Sequence, residues 1–418
     1  MVPNGWNTLA LSEITKEKIS YGIVQAGPHV TDGIPYIKSA DVGGEIDVDS
    51  LQRTAKEIHH KYRRSSVHPN DIVFSLRGNI ARTSIVPTSL QEANLTQGTA
   101  RISVNDKNDT KFVYYKLAST PILNRINALS KGSTFKEISL EELRKVKLPL
   151  PPLPEQRKIA KILSTWDKAI STTERLIVNS KQQKKALMQQ LLTGRKRLID
   201  DSGKPFEGEW EEVNLSSLAL SGKSNFTDGD WIESPFISES GCRLIQTGNI
   251  GVGVFKGKSQ KYISESSFHE LKCTEVNIGD LLICRLAEPA GRACVVPDLG
   301  EEKMLTSVDV TIMKVDINKS SAEFLSHYFS LEHTLYTVST LCGGSTRSRV
   351  SRTNLGKMKV HLPEVNEQKK ITSVLTNADK EIELLEQQLA DLKQEKKALM
   401  QQLLTGKRRV KVDDEAVA

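Results

Sequence analysis

The sequence predicts an α+β chain: two tandem mixed α/β domains separated by two long helices, the helices packed as an antiparallel coiled coil with internal pseudo-two-fold symmetry. Three observations predict it. An eleven-residue string, KKALMQQLLTG, stands at Lys184–Gly194 and again at Lys396–Gly406. A 4-3 apolar spacing runs through the stretch around each copy. Strand-like runs with Pro and Gly punctuation recur in the two segments that precede these stretches.

The repeat holds beyond its eleven-letter core at an offset of 396 − 184 = 212. Glu155, Gln156, Lys158, Ile159, Leu163, Asp167, Lys168 and Ile170 return as Glu367, Gln368, Lys370, Ile371, Leu375, Asp379, Lys380 and Ile382. This is a tandem duplication. The second copy carries the stronger seam: Ile371, Leu375, Ala378, Ile382, Leu385, Leu389, Leu392, Lys396, Leu399 and Leu403. The first reads Ile159, Leu163, Trp166, Ile170, Thr173, Ile177, Ser180, Lys184, Leu187 and Leu191, diluted by Thr173, Ser180 and Lys184. Prolines at the start (Pro149, Pro151, Pro152 and Pro154; Pro363) and glycines at the end (Gly194; Gly406) bound each helix. About 40 residues give each a length of about 60 Å.

One such stripe alone fits an exposed helix or a homodimer stalk; two in one chain favour an internal pair. Connectivity sets its direction. A domain of about 150 residues has a radius of gyration of about 15 Å, too small to bridge the ~60 Å that parallel helices demand. Antiparallel packing removes that strain. Full overlap pairs positions summing to 562, so that Leu187 faces Leu375, Lys184 faces Ala378 and Lys396 faces Trp166.

The expected division is a first domain at 1–147, a helical spacer and linker at 148–204, a second domain at 205–359, a second helical spacer at 360–407 and a tail at 408–418. In the first domain Trp6, Leu9, Leu11 and Ile14 read as a docking segment. Strands are expected at 34–37, 71–76, 81–86 and 100–104, helices at 112–117 and 121–128, and a short helix capped by Ser139 ahead of a last strand. The second domain repeats the plan with drift. Trp210 answers Trp6, Asp280 answers Asp71, Arg292 answers Arg82, Phe324 answers Phe112, and Gly344-Ser345-Thr346 answers Gly132-Ser133-Thr134. Nearly identical helices with divergent domains mean that the helices meet the same partner twice while the domains meet different things.

Composition narrows the chemistry. The 418 residues are 38% hydrophobic and 26% charged, which suits ordinary cores with long polar helices. No apolar run reaches about 18 residues and no signal-peptide pattern opens the chain, so a cytoplasmic protein is expected. The five cysteines, all in the second half, never form C-x-x-C, so neither a shared disulfide frame nor zinc is expected. Net charge is +7, a mild lean towards polyanions. Adenine methylation needs an Asn/Asp-Pro-Pro-aromatic motif, yet Pro151-Pro152 lies between leucines. The phosphate-loop pattern is absent, Gly251-Val252-Gly253 is followed by Lys256 where a dinucleotide loop needs its third glycine, and no HExxH occurs.

Basic turns and small-residue loops suit DNA better. Asp71–Arg82 offers Arg77 and Arg82, and Asp280–Arg292 offers Arg285 and Arg292. The loop KGSTFK offers Lys131, Ser133, Thr134 and Lys136; the loop GGSTRSRVSR offers Ser345, Thr346, Arg347, Arg349 and Arg352. Glycines admit a close backbone, hydroxyls and amides bind phosphate, and arginine pairs bidentately with guanine. Gln246 and Asn249 at a strand end are suited to adenine. Arg82 and Arg292 recur at equivalent positions, which fits a phosphate clamp or a structural salt bridge better than base reading.

The strings GSTFKEISLEELRKVKLPLPPLPEQRKIAKIL and GSTRSRVSRTNLGKMKVHLPEVNEQKKITSVL, with both KKALMQQLLTG ends, resemble the DNA specificity subunit of type I restriction-modification systems. The resemblance covers nearly the whole chain as two variable target-recognition domains alternating with two matching helical regions. The second copy departs at Glu364-Val365-Asn366, losing prolines but keeping Glu367-Gln368. The resemblance implies a non-catalytic subunit in which each recognition domain reads one half of a split double-stranded DNA target and the coiled coil sets the gap. It implies two modification (methyltransferase) subunits bringing S-adenosylmethionine, and restriction/translocase subunits that use ATP and Mg2+, with no cofactor on this chain. A free-standing sequence-specific DNA-binding protein with a coiled-coil spacer is the alternative, and an enzyme with a disguised site a third reading.

Overall fold

The computed structural model describes residues 3–132, 136–344 and 348–412. The chain forms two compact units, Met1–Glu174 with Gln387–Ala418, and Arg175–Glu386. Each unit therefore joins one α/β head to one half of each long helix, cutting across the linear division. That follows from antiparallel packing, which sets the start of one helix beside the end of the other.

In the first unit the opening segment is itself a strand: Asn7–Ala10 pairs antiparallel with Lys147–Leu150, and Leu11 and Ile14 behind it are fully buried. A four-stranded sheet runs in the order Ser20–Tyr21, Thr99–Ile102, Ile72–Ser75, Thr83–Ile85. A smaller sheet pairs Ile34–Ile37 antiparallel with Arg53–Thr54 and parallel with Asn94–Leu95. Helices Thr110–Leu117 and Thr120–Leu129 cover the first sheet, burying Phe112 and Ile126 against Phe74 and Ile72. Asp109 starts the first of them by accepting from the Phe112 N–H at 2.8 Å, and Ser139 caps Leu140–Arg144 through the Glu142 N–H.

The second unit repeats this frame. Glu211–Asn214 pairs with Lys359–Leu362, and the sheet order is Phe226–Asp228, Val310–Met313, Leu281–Cys284, Ala293–Val295. Its smaller sheet keeps the parallel pair, now Cys242–Ile245 with Met304–Thr306. Gly22 and Gly229 hold one place in the two frames. A Cβ there would lie 1.8 Å from the Leu95 carbonyl oxygen or 2.3 Å from that of Thr306, so neither position admits a side chain.

The long helices are Leu153–Leu191 and Val365–Leu403, 39 residues each. In the first unit Ile159 and Leu163 share a core with Leu403 and Leu404; in the second, Leu191 and Leu192 share one with Ile371 and Leu375, Leu187 packing against it. The pair is antiparallel in both. Every seam position of either helix is buried or half-buried. Lys184 pairs with Asp379 and Lys396 with Asp167, the acids next in sequence to the expected neighbours Ala378 and Trp166. Each ammonium turns to that acid because a seam ammonium gains more from a carboxylate within reach than from apolar cover. Lys396 also lies 5.5 Å from the centre of the Tyr115 ring, and the Tyr115 hydroxyl donates to Asp167.

The Glu-Gln pair that opens each helix acquires a physical reason. Gln156 Nε2 donates to the Pro151 carbonyl at 2.9 Å while its Oε1 accepts from the Asp109 N–H at 2.9 Å; Gln368 repeats this with Pro363 and the Ser320 hydroxyl, both at 2.8 Å. Glu155 and Glu367 are buried and each takes a two-pronged arginine, Arg409 and Arg197, with all four N···O distances at 2.7 Å. Helix start, Pro turn and head are thus tied by one polar joint per unit.

Candidate nucleic-acid interface

In both heads the strand exit and the small-residue loop, far apart in sequence, lie side by side. In the first unit Lys131 and Glu137 exchange backbone hydrogen bonds at 2.9 Å, and Arg77 pairs with the Glu137 carboxylate at 2.8 Å. Arg77, Lys131 and Lys136 are exposed around this loop. Arg82 is exposed elsewhere, its stem over Gly43, with no ion-pair partner among the described residues. Ser133, Thr134, Ser345, Thr346 and Arg347 lie outside the described residues.

The second unit builds an arginine–aspartate cluster. The Val350 N–H donates to the Arg285 carbonyl at 3.0 Å and the Ala287 N–H to that of Ser348 at 3.0 Å, pinning the loop to the strand exit. Arg349 pairs with Asp309 at 3.1 Å; Arg352 donates to the Thr227 hydroxyl at 3.2 Å and lies 3.9 Å from Asp228. Their side chains remain 42% and 44% exposed, so both guanidiniums can reach a phosphate or a base edge. Three arginines here (Arg285, Arg349, Arg352) against two aspartates (Asp228, Asp309) leave 3 − 2 = +1.

Three expected contacts are corrected. Arg285 is only 3% exposed: it donates to the Val350 carbonyl at 3.2 Å and the Val308 carbonyl at 2.6 Å. Its Nε lies 3.0 Å from Asp228, an ion pair without a directional hydrogen bond. Burial draws its pKa below the ordinary guanidinium range, Asp228 opposing. It anchors the loop and is shut off from a ligand. Arg292 spends its donors on the carbonyls of Ile250, Leu286, Pro289 and Thr247 at 2.9–3.2 Å, clamping two loops together without a salt bridge among the described residues. Asn249 is fully buried; it accepts from the Gln246 N–H and donates to the carbonyls of Lys256 and Ser259, closing its own turn. Gln246 beside it is half-buried. Asp228, Asp309 and Thr227, which orient the exposed arginines, carried no local signal: the two aspartates stand 285 − 228 = 57 and 309 − 285 = 24 residues from Arg285.

The strand exits are equivalent but their chemistry is not. Asp71 and Asp280 open matching strands, so buried Leu76 answers buried Arg285, and the bridge Arg77–Glu137 answers Leu286–Arg349. Arg349→Ala and Arg352→Ala are each expected to lower the salt slope of duplex-DNA binding by about 0.9 while leaving stability within about 0.5 kcal/mol. Titration over a salt series, with a denaturation curve for each variant, checks this.

The type I restriction modification DNA specificity domain matches residues 3–179 and 208–394, and the chain belongs to that family, carrying the domain twice. Among its relatives, the MjaVIII type I restriction enzyme specificity subunit of Methanocaldococcus jannaschii is 24% identical over 98% of this chain and 94% of its own length. The EcoBI specificity subunit of Escherichia coli is 30% identical over 46% and 41%. The HsdS subunit of Thermoanaerobacter tengcongensis superposes with a TM-score of 0.53 at 17% identity, over 97% and 98% of the two chains. The type I restriction-modification S subunit of M. genitalium gives 0.58 at 15% identity, over 96% and 97%. At these identities the structural likeness establishes the fold. Among the described residues no helix is long and apolar enough to cross a membrane.

Proposed function

We propose that this chain is the sequence-reading subunit of a type I restriction-modification complex, each head reading one half of a bipartite double-stranded DNA target and the paired helices setting the gap. One observation carries the reading: identical helix ends make the same Lys–Asp pair in both units, while equivalent loop positions differ, Glu137 against Arg349. A frame kept and a surface varied is what two unlike half-targets demand.

On this reading the exposed basic side chains, Arg77, Arg82, Lys131 and Lys136 in one head and Arg349 and Arg352 in the other, face DNA, with half-buried Gln246 beside the latter. The loop residues Ser133, Thr134, Ser345, Thr346 and Arg347 belong to the same faces by sequence. The chain performs no catalysis. Two methyltransferase subunits dock on the matching helices and bring S-adenosylmethionine, restriction/translocase subunits join through the complex and use ATP and Mg2+, and the assembly works in the cytoplasm.

Exchanging residues 205–359 for the corresponding domain of another such chain, with methylome sequencing of a host carrying the system, tests the proposal. One half of the methylated target should change and the other persist. Replacement of both halves would overturn the assignment of one head to each half.

A further inference from the structure

The duplicated helix ends do not finish alike. In the second unit Lys185 is neutralised by its own head: Glu332, the first residue of helix Glu332–Thr340, sets its Oε1 2.7 Å from the Lys185 ammonium. The twin of Lys185 at the 212 offset is Lys397, and the twin of Glu332 is Thr120, first residue of helix Thr120–Leu129. Thr120 has no carboxylate. Lys397 accordingly has no ion-pair partner among the described residues, and a cavity of about 470 Å³ stands open there.

Four lysines line that cavity. Lys393 pairs with Glu174 at 2.8 Å and Lys396 with Asp167, whereas Lys397 and Lys407 are unpaired among the described residues. Pro121 and Met400 supply apolar wall. The twin site shows which group satisfies this lysine on this helix face: a carboxylate presented from beside it. We propose that the cavity is a carboxylate-binding site, filled by an Asp or Glu side chain on an acidic segment of a protein partner. A recessed, partly apolar cavity suits a single carboxylate on a short apolar stem; a duplex backbone needs an open row of cations at phosphate spacing. The inference does not rest on the DNA-reading assignment.

Amine acylation of the full chain, read by mass spectrometry, tests it with hexaglutamate and a non-specific DNA duplex as probes. Lys397 should react about fivefold faster than Lys185, the factor of a well-made exposed ion pair. Hexaglutamate should slow Lys397 and spare Lys185, and the duplex should do neither. Thr120→Glu should import the missing carboxylate, bringing Lys397 to the rate of Lys185 and removing the hexaglutamate effect. Glu332→Thr should do the reverse, exposing Lys185 and making it sensitive to hexaglutamate. Thr120 and Glu332 are both exposed, so neither change threatens the fold. Equal rates at Lys185 and Lys397 in the wild type, protection by the duplex in place of hexaglutamate, or protection that survives Thr120→Glu would each overturn the proposal.

Discussion

Replacing Arg197 by alanine is expected to destabilise the second unit by about 3–5 kcal/mol, because it strands a buried charge. Glu367 is fully buried and Arg197 engages both its oxygens at 2.7 Å. Removal of the arginine leaves a carboxylate with neither water nor a cation, a far larger loss than the pair contributes net. Hydrogen exchange resolved by unit should show the loss confined to residues 175–386, and Glu367→Gln in the same chain should recover most of it. The twin change, Arg409→Ala, should cost the first unit less. The Arg409 side chain is 45% exposed against 24% for Arg197, so water already stands closer to Glu155. A loss below about 1 kcal/mol for Arg197→Ala would place that joint among ordinary surface pairs.

The second large effect concerns target geometry. Four residues inserted after Glu174 add about one turn, or about 6 Å, to the first long helix. DNA rises about 3.4 Å per base pair, so the gap between half-targets should widen by about one to two base pairs while both half-sequences persist. Methylome sequencing reads gap and halves together. An unchanged gap would remove the helices from the spacing role, and altered halves would mean that the heads do not read independently.

The helices were the most legible part of the sequence, since a seam repeated at 212 residues states period, ends and pairing together. What escaped was the identity of the partners of Lys184 and Lys396. Asp167 and Asp379 were visible as repeated residues, but a seam count records apolar positions and passes over the acid beside one. In the heads the strands stood close to their expected places because alternation and Gly/Pro punctuation are local. The opening strand Asn7–Ala10 was missed because its partner, Lys147–Leu150, lies 140 residues on. Arginine was the least legible residue. Arg285 and Arg349 look alike in sequence; one anchors a loop from inside and the other faces outward, and the difference is set by Asp228, from another strand, and Asp309, from a turn.

The two seam lysines have a consequence for assembly. Because the helices are copies, a side-by-side alignment in the same direction would set Lys184 opposite Lys396, two ammonium groups forced together in the seam. Running in opposite directions, each meets an acid that the same duplication supplied. Slippage by a heptad would strand both again. The ancestral copying event therefore furnished its own index mark: it penalises the wrong polarity and the wrong phase with the pair of residues that rewards the right one.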